Sequence, residues 1–391
     1  MKFTVSIAVA LCSFLAVCGA ANAADSTVPE PFRGFDATSK LTINYDDLTS
    51  LLGSLVADVG LSNREKADLG HAKTGTRMKT KVQRSTINEG NRFFYETFVD
   101  NEAGQKTLGD IQKSIERVPN DVPLENFTRD EQLAYWLNLY NITVLNEVVK
   151  EYPQRSLKKL LLGKNSILSK KLLTVAGVSL SLNDIQFKIL KQNYDRNPLI
   201  IYGLYQGIIG GPNIRSSAYT GADVYRALTE NAVVFINSNR GTSVRDANNF
   251  RVSSFYERNK EYFPDFRADL TAHLLQYLEG DEQVAIQKAA KLKADISDWT
   301  VTDLGGSYRE IGGSLAHSSA GLMGAMSGSN SADSGGALGA ASGTGASSAG
   351  GFNPALLRRM KELEAEREQA KAEETTGPVD DAAAEAEPIS D

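Results

Sequence analysis

Residues 128–152 (T-R-D-E-Q-L-A-Y-W-L-N-L-Y-N-I-T-V-L-N-E-V-V-K-E-Y) constrain this chain more than any other stretch, because they specify one helix with its start, its buried face and its end. Thr128 followed by Glu131 fits a capping box, in which the Thr oxygen takes an orphan amide and the Glu reaches back to the cap. Asp130 and Glu131 put negative charge in the first turn, where the helix dipole favours it. Leu133, Leu137, Tyr140, Val144 and Val148 recur at helical spacing, and Trp136, Leu145 and Val149 widen that stripe. Pro153 stops the helix. Asn138 and Asn141 are poor helix-interior residues, since short amides compete for backbone partners. Three apart, they lie near one another on the helix surface. The helix is thus both a core element and a candidate wall of a polar site.

The chain has 391 residues, enough for a sizeable core. Its first 23 residues read otherwise: Lys2, an apolar run from Phe3 to Val17, and Ala21-Asn22-Ala23 describe a secretory signal peptide cleaved after Ala23. The expected destination is the periplasm or the exterior. Leu15-Ala16-Val17-Cys18-Gly19 loosely resembles a lipobox, but Val17 is larger than that signal prefers, so no lipid anchor at Cys18 is expected. No other stretch is apolar for long enough to span a bilayer. Cys12 and Cys18 are the only cysteines. A chain cleaved after Ala23 therefore has no disulfide, no thiolate nucleophile and no cysteine metal ligand. The histidines are His71, His273 and His317, and no second His or Cys is spaced with His273 to complete a metal site, so it reads as a structural helix residue. No cofactor is expected. A net charge of −6 offers no footprint for nucleic acid.

The fold expected is a single α+β domain, mostly helical, with a small mixed β-sheet. Residues 24–40 read as a flexible lead, 41–304 as the folded domain, 305–351 as a disordered Gly/Ser/Ala linker, 352–373 as a charged helix and 374–391 as an acidic disordered tail. Within the domain, 45–59 has helical spacing with Asp46 as cap, 74–84 is a basic surface run, and 92–99 is aromatic and buried. Residues 107–117 look helical, with Pro119 and Pro123 marking the loop before the central helix. Residues 156–162 form a short helix, 172–182 a hairpin turning at Ala176-Gly177, and 183–191 a helix. The runs 199–206 and 233–237 read as strands, with helix at 222–231 and 264–278.

Several catalytic patterns fail. There is no G-x-S-x-G elbow and no H-E-x-x-H, and Gly210-Gly211-Pro212 lacks the Lys-Ser of a phosphate loop. Those glycines read as a turn with unusual dihedrals.

Leu133 to Asn141, L-A-Y-W-L-N-L-Y-N, resembles the signature of the domain of unknown function 547 family. Further pieces match in order: Leu180 to Gln186 resembles its L-S-L-x-D-I-E, Asn197-Pro198 its D-P, and Gly211-Pro-Asn-Ile-Arg215 its C-P-x-L-R. Val252 to Phe255 and Asp298-Trp299 resemble its closing S-x-F and D-W motifs, so the likeness runs from about Tyr45 to Thr302. The resemblance puts a His where Phe187 stands, a second where Ile201 stands, and a Cys at Gly211. Such a set would suit a thiol-dependent hydrolase or transferase, and all three are missing here. What the resemblance leaves in place includes Trp136, Asn138, Tyr140, Asn141, Pro212, Arg215, Asp298 and Trp299.

The leading expectation is an exported, non-catalytic binding or scaffolding protein with a protein or small-molecule partner in the envelope. Asn138, Asn141 and Arg215 would line its cleft, and Phe187, Ile201 and Gly211 would mark an emptied site. Arg215 is read equally as an anion clamp or as the partner of a local carboxylate. One alternative is a hydrolase of the envelope that uses carboxylates and Arg215. Another is an assembly protein that docks through residues 352–372.

Overall fold

The computed structural model describes residues 28–66, 85–246 and 248–304. The signal segment, the basic run at 74–84 and everything expected beyond 304 lie outside the described residues.

In chain order the elements are α1 (Asp46–Leu55), β1 (Val56–Ala57), β2 (Arg92–Phe93), α2 (Glu102–Asp121), α3 (Arg129–Glu151), α4 (Lys158–Leu162), β3 (Lys171–Val175) and β4 (Val178–Ser181). A π-helical turn (Asp184–Leu190) runs into α5 (Lys191–Asn193), and a 3-10 helix spans Pro198–Gly203. Then come α6 (Val224–Ile236), β5 (Thr242–Asp246), β6 (Asn249–Ser253), α7 (Ser254–Arg258), α8 (Phe266–Leu275), α9 (Asp281–Lys288) and β7 (Lys291–Ile296). This is an α+β fold, mostly helical. β1 and β2 form an antiparallel pair, β3 and β4 a hairpin, and β5-β6-β7 a mixed sheet in which β6 runs antiparallel to β5 and parallel to β7.

α3 is the axis of the domain. Every residue from Glu131 to Asn146 is buried, so the helix is wrapped on all sides instead of along one stripe. α2, α6 and the π-helical turn pack on it, which is how a helix with so little polar surface is accommodated. Thr128 caps it as expected, its Oγ1 accepting from the Glu131 amide at 3.2 Å. Glu131 does not reach back. Its carboxylate accepts from Ile43 N at 2.9 Å and Gly221 N at 3.0 Å, pinning two loops.

The hairpin forms as expected, with Ala176 and Gly177 both at positive φ, the pairing that matches strand twist. Other expectations are corrected. The run at 199–206 is mainly a 3-10 helix, because Asn197 Oδ1 accepts from Leu199 N and Pro198 supplies a preset first helical residue. Residues 233–236 are the last turn of α6, where burial of Phe235 and Ile236 outweighs β-propensity. α1 is capped from outside, Asn44 Oδ1 accepting from Asp46 N. Pro119 sits inside the last turn of α2, where it forgoes one amide bond, to the Ile115 carbonyl. Within the expected lead, Val28 and Phe32 are buried, and the Phe32 ring meets Trp136 edge-on at 5.0 Å.

The segment from Asp298 to Asp303 ties distant parts together. Thr302 O accepts from Phe93 N at 2.8 Å, Gly207 O accepts from Thr302 N at 3.0 Å, and Trp299 O accepts from Leu157 N at 3.0 Å. Asp298 Oδ2 accepts from Thr86 at 2.6 Å, and Tyr152 donates to Asp303 at 2.9 Å.

Candidate functional site

The two amides on α3 are both spent on backbone. Asn138 donates to Tyr219 O at 2.8 Å and accepts from Tyr219 N at 2.9 Å. Asn141 donates to Gly203 O at 2.9 Å and accepts from Tyr205 N at 2.9 Å. Each amide thus stands in for a strand partner, satisfying irregular segments that cross the helix.

Asn138, Asn141 and Arg215 do meet. With Leu48, Leu52, Ile142, Leu145, Ile214, Ser217 and Tyr219 they line one small cleft of about 10 Å³, room for about one water molecule. Arg215 donates to Glu230 at 2.9 Å and to Ala227 O at 3.3 Å, and its guanidinium lies 5.6 Å from the Tyr219 ring. Burial alone would raise Glu230, but its bonds to Arg215 and Arg226 hold the carboxyl below its ordinary pKa. Arg215 is therefore paired with a local carboxylate. Its Nε is buried and has no partner among the described residues.

The segment 207–215 is held from below by a buried arginine. Arg240 donates to Gly211 O at 2.8 Å, to Ile209 O at 3.3 Å and to Asn213 Oδ1 at 2.7 Å. Burial lowers the Arg240 pKa to about 10. The turn geometry expected at Gly210-Gly211 is not where the strain lies. Gly207 carries the positive φ, +72°. Gly210 is required for another reason, since a Cβ there would sit 2.6 Å from Asp298 O. Gly211 has room: its nearest neighbours, Gln206 Cβ and Ile208 Cγ1, would both lie 3.4 Å from a Cβ.

Gly211 and Phe187 reach the same element from two sides. Gln206, beside Gly211, accepts from Arg258 Nη2 at 2.8 Å at the end of α7. Phe187 packs 6.4 Å from Tyr262, just beyond α7, and Tyr262 donates to Gln186 O at 2.8 Å. Gln186 itself donates to Asn259. Ile201 lies on the 3-10 helix and is fully buried. His273 is buried too, its Nε2 3.0 Å from Tyr202 Oη and its ring stacked on that phenol, and burial lowers its pKa to about 4.

Arg258 was not singled out from sequence. It lies 4.7 Å from the Trp299 ring and 6.0 Å from Phe255, and also donates to Ser254 Oγ at 3.0 Å. Only its position after the S-x-F motif hinted at it, while the D-W motif had marked Trp299. Among the described residues no group of three His, Cys, Asp or Glu could hold a metal ion, and no helix is long and apolar enough to cross a membrane.

No curated protein and no solved structure matches this chain. The chain does match the model of the family described as Protein of unknown function, DUF547, over residues 124–236, the segment from the turn before α3 to the end of α6 that contains Asn138, Asn141, Phe187, Ile201, Gly211 and Arg215.

Proposed function

We propose that this chain is an exported, non-catalytic binding or scaffolding protein of the cell envelope. One observation carries the reading. The positions where the resemblance puts a thiol and two imidazoles hold Gly211, Phe187 and Ile201, and His273 is buried against Tyr202. The segments at 203–205 and at Tyr219 are braced by Asn138 and Asn141, which supports a scaffold role for those amides. A carboxylate-based hydrolase would need one acid held protonated near neutrality. The displaced carboxyls Asp36, Asp110, Asp184, Glu230 and Asp246 instead all titrate low, each held by hydrogen-bond donors.

The test is to incubate purified residues 24–391 with ester, amide and peptide libraries. No turnover above a heat-denatured control is expected. Reproducible turnover that disappears in Arg215→Gln would overturn the reading in favour of the hydrolase.

A further inference from the structure

Arg258 and Lys158 converge on one side chain. The Arg258 guanidinium lies 4.7 Å and the Lys158 ammonium 6.0 Å from the ring of half-buried Trp299. Cation–π contact stabilises both positions but leaves the charges uncompensated. None of the ion pairs among the described residues uses either cation. Among the described residues Arg258 is hydrogen-bonded to two neutral oxygens, Ser254 Oγ and Gln206 Oε1. A guanidinium has five N–H donors, so three are left over.

Tyr140 adds to the imbalance. Its hydroxyl is buried and has no hydrogen-bond partner among the described residues, and the Arg258 charge acts on it, offsetting part of the rise that burial gives its pKa. Burial in turn lowers the Arg258 pKa to about 10, with Tyr140 opposing that fall. Donors therefore gather here, and among the described residues no carboxylate forms an ion pair with either cation. Sequestering a cation from water is costly unless an opposite charge joins it. Lys158 is exposed and Trp299 half-buried, so the cluster is reachable from solvent.

We infer that Arg258, Lys158 and Trp299 form a binding site for the oxyanion of a small molecule, a phosphate or carboxylate group, held by the guanidinium fork and the ammonium. The inference rests on the reading of the chain as a binding protein and supplies its ligand class. The site is separate from the cleft beside Asn138 and lies next to Gly211, joined to it through Gln206.

Trp299 provides the readout. It is one of two tryptophans, and the other, Trp136, is fully buried. Purified residues 24–391 would be titrated with inorganic phosphate and, separately, acetate, with ionic strength held constant by chloride, following tryptophan fluorescence and heat. A saturable response to at least one oxyanion is expected. Arg258→Gln should weaken it about tenfold, the loss of a charge-assisted contact, and Lys158→Gln, an exposed change that leaves the fold alone, about threefold. No saturable response to either oxyanion, or one unchanged in Lys158→Gln and Arg258→Gln, overturns the site. Turnover in the library assay would end the non-catalytic reading while leaving anion binding measurable. Silence in both experiments ends this inference alone.

Discussion

At the scale of single residues, Gly210 and Gly211 are adjacent and opposite in character. A Cβ on Gly210 would meet the backbone of Asp298 at 2.6 and 2.8 Å, which cannot swing aside, whereas one on Gly211 meets nothing closer than 3.4 Å. Gly210→Ala should lower stability by about 3 kcal/mol or more, and Gly211→Cys by less than about 1 kcal/mol. Urea denaturation of the two variants separates them, and equal losses would contradict the geometry. His273 gives a second residue-scale prediction. Its folded pKa is about 4, below the unfolded value of about 6.5. The unfolded chain therefore binds more protons between those limits, and stability falls as pH drops through that window. From pH 7 to 5 this group should remove about 2 kcal/mol. His273→Phe should flatten that part of the profile, and an unchanged slope would assign it to other groups.

At the scale of elements, α3 shows how far a pattern in the sequence reaches. Cap, start and end were legible because each depends on neighbours within a turn: Thr128 on Glu131 N, Pro153 on the helix before it. The second half of the capping box was misjudged because Ile43 and Gly221, far along the chain, offer Glu131 two amides at once. No local rule registers such partners. Glu131→Gln keeps one acceptor and turns an amino group toward the other N–H, so it should cost about 1–3 kcal/mol, read as a shift in urea midpoint. A neutral result would mean that water replaces the carboxylate. The two expected strands failed for a similar reason. Apolar runs of this length suit a strand or a buried helical turn equally, and burial decided. Of the site, Asn138, Asn141 and Arg215 were found because their types are out of place where they stand. Arg258 was not, because an Arg ending a short helix is ordinary until Trp299 comes to lie against it.

At the scale of the molecule, the residues after β7 tie together segments that lie far apart in the chain. They reach Thr86 and Phe93 near the start, Tyr152 and Leu157 after α3, and Gly207 and Ile209 beside Gly211. A chain ended at Ile296 loses all of these together and should show no cooperative thermal transition by circular dichroism, while one ended at Leu304 should. Cooperative melting of the shorter chain would show that the other elements suffice. This arrangement sets the timing of assembly on the ribosome. Thr302 follows nearly everything it fastens in chain order, so a growing polypeptide lacks these clasps until translation has passed this segment.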